Sequence, residues 1–167
     1  MVLGMTLQIF TLLHTAISLI AILTGLLVVA GMLKGQRTPG WTAIFLLTTL
    51  LTSVTGFMFP VPLSPLLPSQ ATGIVALIVL APTLAALYIF KLAGIWRPIY
   101  VIGAVISLYL NMFVLVVQGF LKVGFLNALA PTQSEPPFVV AQAVVLIALI
   151  AVGFIAVKRF RPVTFNV

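Results

Sequence analysis

The sequence contains no cysteine, one acidic residue and one histidine among its 167 residues. The absence of cysteine excludes disulfide bonds, thiolate metal sites, covalently attached c-type haem and a cysteine nucleophile. Because Glu135 is the sole side-chain carboxylate, no carboxylate pair for acid–base catalysis can form. One histidine and one glutamate are also too few for a metal site built from this chain alone. We therefore predict a protein that is not an enzyme and has no metal site.

Charge of either sign is scarce. Charged residues make up 5% of the chain and hydrophobic residues 63%, with a mean hydropathy of +1.36. Soluble domains are about 25% charged, so this chain has too few polar residues to build a water-facing surface. The net charge of +7 comes from basic residues scattered in short loops, which does not favour a nucleic-acid partner. The composition predicts one transmembrane domain, residues 1–167, with the lipid bilayer as its main partner.

Five apolar runs, at about residues 7–33, 41–59, 72–90, 98–121 and 138–157, predict an all-α bundle of five transmembrane helices. Each run has about 20 apolar residues, enough to cross a hydrocarbon core of about 30 Å. Prolines mark the breaks: Pro39 suits the start of the second helix, and Pro131 ends an interfacial extension of the fourth. Residues 60–69, rich in proline, predict a connector, and Pro82 predicts a kink in the third helix.

The basic residues predict the orientation. In a five-helix topology, seven of the eight fall on one side, and only Lys122 falls on the other. Positively charged loops stay in the cytoplasm, so we expect a multi-pass membrane protein with the N-terminus outside and the C-terminus in the cytoplasm. Trp41, Trp96 and Tyr100 then lie at the cytoplasmic boundary as anchors. The seven residues are Lys34, Arg37, Lys91, Arg97, Lys158, Arg159 and Arg161.

Polar residues inside the apolar runs predict a polar layer in the outer half of the bundle. On the fourth helix, Asn111, Gln118 and Lys122 recur at steps that return to within about 20° of one face. Polar residues of three other runs reach the same depth, beneath the loop that carries Glu135. The candidate ligand-binding residues are His14, Asn111, Gln118, Lys122, Glu135 and Gln142, with Thr48, Thr52 and Thr55 on the second helix beside them. The alternative to a ligand-binding site is that these groups only form interhelical hydrogen bonds that fix the packing, and we favour this interpretation.

Individual residues of this layer leave alternatives open. Lys122 either extends to the headgroups or pairs with Glu135 across the turn at Pro131. Glu135 is expected at the start of the fifth helix, with Ser134 as its N-cap. His14 is expected to be a hydrogen-bonded neutral histidine, because a b-type haem usually needs two strong ligands and the chain has one histidine. We accordingly predict no cofactor, with a haem ligand or a proton carrier at His14 as the alternatives.

Three segments carry a resemblance to a known group of proteins. They are TSVTGF at 52–57, YLNMFVLVVQGFLKV at 109–123 and LAPTQSEPPF at 129–138. Together they resemble an uncharacterised family of small multi-pass bacterial inner-membrane proteins with no assigned function. The resemblance implies a bacterial inner-membrane location and adds no chemistry.

Three functions fit the sequence. The first is a non-catalytic membrane component that packs against its own copies or a larger membrane complex, as minimal loops and an aliphatic exterior suggest. The second is a small carrier or binding protein for an apolar or weakly polar ligand at the outward-facing polar layer. The third is a haem-binding redox protein that uses His14.

Overall fold

A computed structural model describes residues 2–61 and 68–161. Part of the predicted connector, residues 62–67, and the end of the tail, residues 162–167, lie outside the described residues. Within those two ranges all regular structure is helical, which confirms the all-α prediction. The helices are α1 (Leu7–Leu33), α2 (Pro39–Gly56), α3 (Pro68–Leu84, continued by a π turn at Ala85–Ile89), α4 (Trp96–Lys122), α5 (Gly124–Leu129) and α6 (Pro136–Arg159).

Four helical segments are long and apolar enough to cross a membrane: α1, Ser69–Ile89, α4 and α6. The second predicted span, α2, is not among them. It is 18 residues long and carries five threonines and one serine, which lower its mean hydropathy. Its crossing of the membrane, and with it the five-span topology, therefore stays a prediction.

The predicted irregularity at Pro82 takes the form of a π turn. Pro82 has no N–H to donate, and the chain widens to i→i+5 hydrogen bonding at Ala85–Ile89 within three residues. By helical spacing the carbonyl that Pro82 frees is that of Ile78, and either Thr83 or a neighbouring helix could satisfy it. The Thr83 hydroxyl donates instead to Val79 O, the next carbonyl along, at 2.7 Å.

The bundle has two distinct ends. At the first, here called the basic end, the loop of residues 34–38, the start of α4 and the end of α6 meet. Arg97 Nη1 donates to Val157 O at 2.9 Å and to Phe160 O at 2.5 Å, which satisfies two of the carbonyls at the C-terminal end of α6. The other, here called the Glu135 end, carries Lys122, α5 and the loop before α6.

Helix α4 lies at the centre and packs against α1, α2, α3 and α6. Two glycines permit the closest approaches. Gly25 of α1 lies under the ring of Phe45 and a methyl group of Leu108, and Gly103 of α4 lies against Thr83 of α3. Any side chain at these two positions would push neighbouring helices apart.

The packing at Gly103 gives a first prediction. A Cβ added there would overlap Thr83 Oγ1 and lie 3.1 Å from Thr83 Cβ. Gly103→Ala is expected to destabilise the bundle by about 1–3 kcal/mol through overpacking, measured as a lower Tm in detergent. Gly124→Ala is the control, because a Cβ at Gly124 meets nothing within 4 Å. Equal Tm values for the two variants would contradict this account of α3–α4 packing.

Candidate functional site

The predicted polar layer begins with a hydrogen bond between α1 and α2. His14 Nδ1 lies 2.8 Å from Thr55 Oγ1, and the imidazole meets the ring of Phe59 edge-on, with centroids 5.2 Å apart. Thr55 donates its own proton to Leu51 O at 2.6 Å, so its oxygen accepts from His14 Nδ1–H. In the neutral ring this leaves Nε2 as the acceptor, and Nε2 makes no hydrogen bond to any described residue.

A second pair joins the same two helices one turn further along. Ser18 Oγ lies 3.3 Å from Thr52 Oγ1, and Ser18 also donates to His14 O at 2.8 Å. Thr52 and Thr55 thus occupy the positions that their helical spacing predicts. Both face α1.

Asn111 bonds α4 to α2. Its Nδ2 donates to Thr49 Oγ1 at 3.1 Å, and Thr49 is fully buried. The sequence pointed to Thr48 on the face of Thr52 and Thr55, but Thr48 bonds back to Ile44 O of its own helix. Thr49 was missed because it lies one position off that polar stripe. The available signal was its spacing from Phe45 and Ser53, which marks the buried face of α2.

The remaining intramembrane candidates are less completely paired. Gln142 Nε2 donates to Phe113 O of α4 at 3.2 Å, while its Oε1 is buried and has no partner among the described residues. Gln118 is half-buried and makes no side-chain hydrogen bond within 2–61 and 68–161. Ser107, one turn below Asn111, is fully buried with an unpaired Oγ.

Glu135 and Lys122 do not form the ion pair considered from the sequence. The predicted N-cap, Ser134, is also wrong: Glu135 is the N-cap of α6, with Pro136 at the first helical position. The Glu135 carboxylate turns back onto the loop, where it accepts from Thr132 N at 3.1 Å, Thr132 Oγ1 at 2.9 Å and Ser134 N at 3.1 Å. Desolvation raises the pKa of Glu135, but these hydrogen bonds to its charged form outweigh it and hold the pKa below its ordinary value.

Two cavities lie away from this polar layer. One, of about 100 Å³, opens at the basic end and is lined in part by Arg37, Thr42 and Tyr100. The other is an apolar groove of about 380 Å³ between α4 and α6. None of the six candidate residues lines either of them. The sequence did not reveal the first because its lining comes from separate elements, and it treated Tyr100 only as a boundary anchor.

Comparisons of the chain with protein-family models, curated proteins and solved structures found no match. The contacts described above are therefore the basis for assigning a function. They bring His14 to Thr55, Asn111 to Thr49 and Gln142 to α4, and they leave Gln118, Lys122 and Glu135 apart from that set.

Asn111 and Gln118 form a matched pair for a second prediction. Asn111→Leu removes an interhelical hydrogen bond and leaves Thr49 buried without its donor, so we expect a loss of about 0.6–1.7 kcal/mol in the free energy of unfolding. Gln118→Leu removes no hydrogen bond to a described residue and is expected to leave stability unchanged or higher. Thermal unfolding in a mild detergent measures both, and a larger loss for Gln118→Leu would refute the assignment of the bonded face.

Glu135 gives a third prediction. Because its native pKa is lowered, its contribution to loop closure is complete above the unfolded value of about 4.3 and is lost as the pH falls through the native pKa. At pH 7, Glu135→Gln is expected to speed amide hydrogen exchange at Thr132 and Ser134 relative to the wild type. The difference is expected to shrink as the pH falls through the native pKa. A difference that stays constant across this range would rule out the carboxylate as its cause.

Proposed function

We propose that this chain is a non-catalytic, self-associating component of a bacterial inner membrane. It crosses the membrane five times, with the N-terminus outside and the basic end in the cytoplasm. Support for the orientation comes from the basic residues, since the loop of residues 34–38, Arg97 and the end of α6 lie together at one end of the bundle. The aliphatic surface of four long helices supports the membrane location.

The observation that carries the proposal is the exposure of α6. Only Leu149 and Ala156 of its 24 residues are buried. By contrast, α1 and α4 each bury nine of 27 residues. Helix α6 packs against α4 and α1 along one narrow face, so most of its apolar surface is available to another membrane helix.

The groove between α4 and α6 gives this surface a shape that a second copy fits. Its lining is apolar and includes Gly153, where α6 packs closely against Val105 of α4. Ile150 and Phe154, on the α6 wall of the groove, form a ridge with Ile147 outside it, and each of the three is more than 60% exposed. A two-fold axis would set the ridge of each copy in the groove of the other, as a self-complementary interface requires. The lining residues are Ile102, Val105, Ile106, Tyr109, Leu146, Leu149, Ile150, Gly153, Phe154 and Val157.

The polar layer supports a packing role over a catalytic one. His14, Asn111 and Gln142 each donate a hydrogen bond to a neighbouring helix, and such bonds stabilise bundles of membrane helices.

The same polar layer supports a second candidate function, a binding protein for an apolar or weakly polar ligand. Gln118, without a hydrogen bond, and Gln142 Oε1, buried and unpaired, favour that candidate. The test is to look for an organic molecule that co-purifies with the wild type. If both Gln118→Leu and Gln142→Leu lose that molecule, the binding function is established. If the wild type carries no such molecule, the binding function is excluded.

Self-association gives a fourth prediction. In mild detergent, the wild type is expected to elute as a dimer by light scattering. Ile150→Trp, which fills the groove, is expected to shift it to monomer. Ile78→Trp on α3 is the matched control, because Ile78 is 65% exposed and Ile150 is 63% exposed. A wild type that is monomeric at every concentration and carries no partner would overturn the proposal, whereas a partner of different sequence would assign the same face to a larger complex.

A further inference from the structure

The cavity at the basic end combines an apolar floor with a polar rim. Its volume is about 100 Å³, enough for several waters or one compact oxyanion. Val28, Met32 and Leu92 form part of the floor and are buried in the bundle core. The rim comes from the loop after α1, the start of α2 and the start of α4.

Two buried hydroxyls in the lining leave one proton without an acceptor. Thr42 Oγ1 and Tyr100 OH lie 3.4 Å apart and are 5% and 3% exposed. Only one of their two protons can lie between the two oxygens. Neither hydroxyl makes a further hydrogen bond to a described residue, although most helical threonines here donate to the carbonyl four residues earlier, as Thr48 does. A hydrogen-bond acceptor inside the cavity would satisfy the remaining proton.

The charge around the cavity is positive and uncompensated. Arg37 lines it, and its guanidinium makes no hydrogen bond or ion pair within the described ranges. The one acidic residue of the chain, Glu135, lies at the opposite end of the bundle. Arg97, by comparison, donates from Nη1 to Val157 O and Phe160 O at the end of α6.

The N-terminus of α2 lies at the same rim. Thr38 and Pro39 line the cavity, and the N-cap Thr38 makes no side-chain hydrogen bond to the helix. The first intrahelical bond runs from Thr42 N to Thr38 O at 2.8 Å, so the N–H groups of Gly40 and Trp41 have no partner inside the helix. A helix start of this kind favours an anion.

We propose that this cavity binds a phosphate group, either the headgroup phosphate of an anionic phospholipid or a free phosphate. Arg37 supplies the charge, the start of α2 supplies the Thr38 hydroxyl and the positive end of the helix dipole, and the Thr42–Tyr100 pair donates its remaining proton from within the cavity. Both sources share this chemistry. The proposal requires only that the basic end meet the headgroup region or water, and it does not depend on association between copies.

The test uses the full chain in a neutral detergent. Phosphatidylglycerol, phosphatidylcholine and inorganic phosphate are titrated separately, and the apparent affinity is taken from the rise in Tm with ligand concentration. The variants are Arg37→Gln and Tyr100→Phe. Lys34→Gln is the control. It removes the same charge from the same loop, and Lys34 does not line the cavity.

Arg37→Gln is expected to weaken binding by at least about tenfold, and Tyr100→Phe to weaken it less, while Lys34→Gln stays within about twofold of the wild type. Saturable binding of phosphatidylglycerol alone identifies the lipid as the source, and binding of inorganic phosphate at similar affinity identifies the free anion. Equal losses for Arg37→Gln and Lys34→Gln, or no saturable binding of either phosphate, would overturn the site. Ile150→Trp separates this outcome from failure of self-association, since it is expected to bind phosphate as the wild type does.

Discussion

Pairing of polar side chains within an apolar bundle is the interaction on which the arrangement of helices depends. An unpaired polar group in hydrocarbon costs several kcal/mol, so helices that carry such groups are stable where the groups meet. His14 and Thr55 join α1 to α2, and Asn111 and Thr49 join α2 to α4. Most other hydroxyls bond within their own helix, as Thr11 and Thr24 do, and place no demand on a neighbour.

This pairing also explains why α6 is left exposed. The interhelical bonds between side chains are concentrated among α1, α2 and α4, while α6 has one amide bond from Gln142 and apolar contacts along its length. At its C-terminal end, Arg97 fixes α6 by bonding its last carbonyls. A helix attached at both ends with one narrow buried face presents the rest of its apolar surface to lipid or to another protein. The proposed role in lateral association follows from that geometry.

Much of the fold is predictable from the sequence, because the lengths of the apolar runs and the prolines at their ends determine the helix bounds. The first predicted run coincides with α1, and the others agree within a few residues. The shared face of Asn111 was also predictable from helical spacing. Its partner was not, because choosing between Thr48 and Thr49 requires the rotation of α2 about its axis, which tertiary packing sets.

The cavity at the basic end lay beyond sequence reasoning for the same reason. Arg37, Thr42 and Tyr100 are separated by up to 63 positions in the numbering and belong to different elements, so no local pattern relates them. Glu135 shows that sequence reasoning is also limited for a local feature, the start of a helix. The sequence predicted Ser134 as the N-cap of α6, but Pro136 takes the first helical position, so the acid itself is the N-cap.

The most direct test of lateral association through α6 uses the absence of cysteine from the chain. Single cysteines at Ile150 on the α6 ridge and at Ile78 on α3 would each be the sole thiol in the protein. After mild oxidation of native membranes, Ile150→Cys is expected to give a disulfide-linked dimer on a non-reducing gel, while Ile78→Cys stays monomeric. Equal crosslinking at the two positions, or none at Ile150, would contradict the proposed interface.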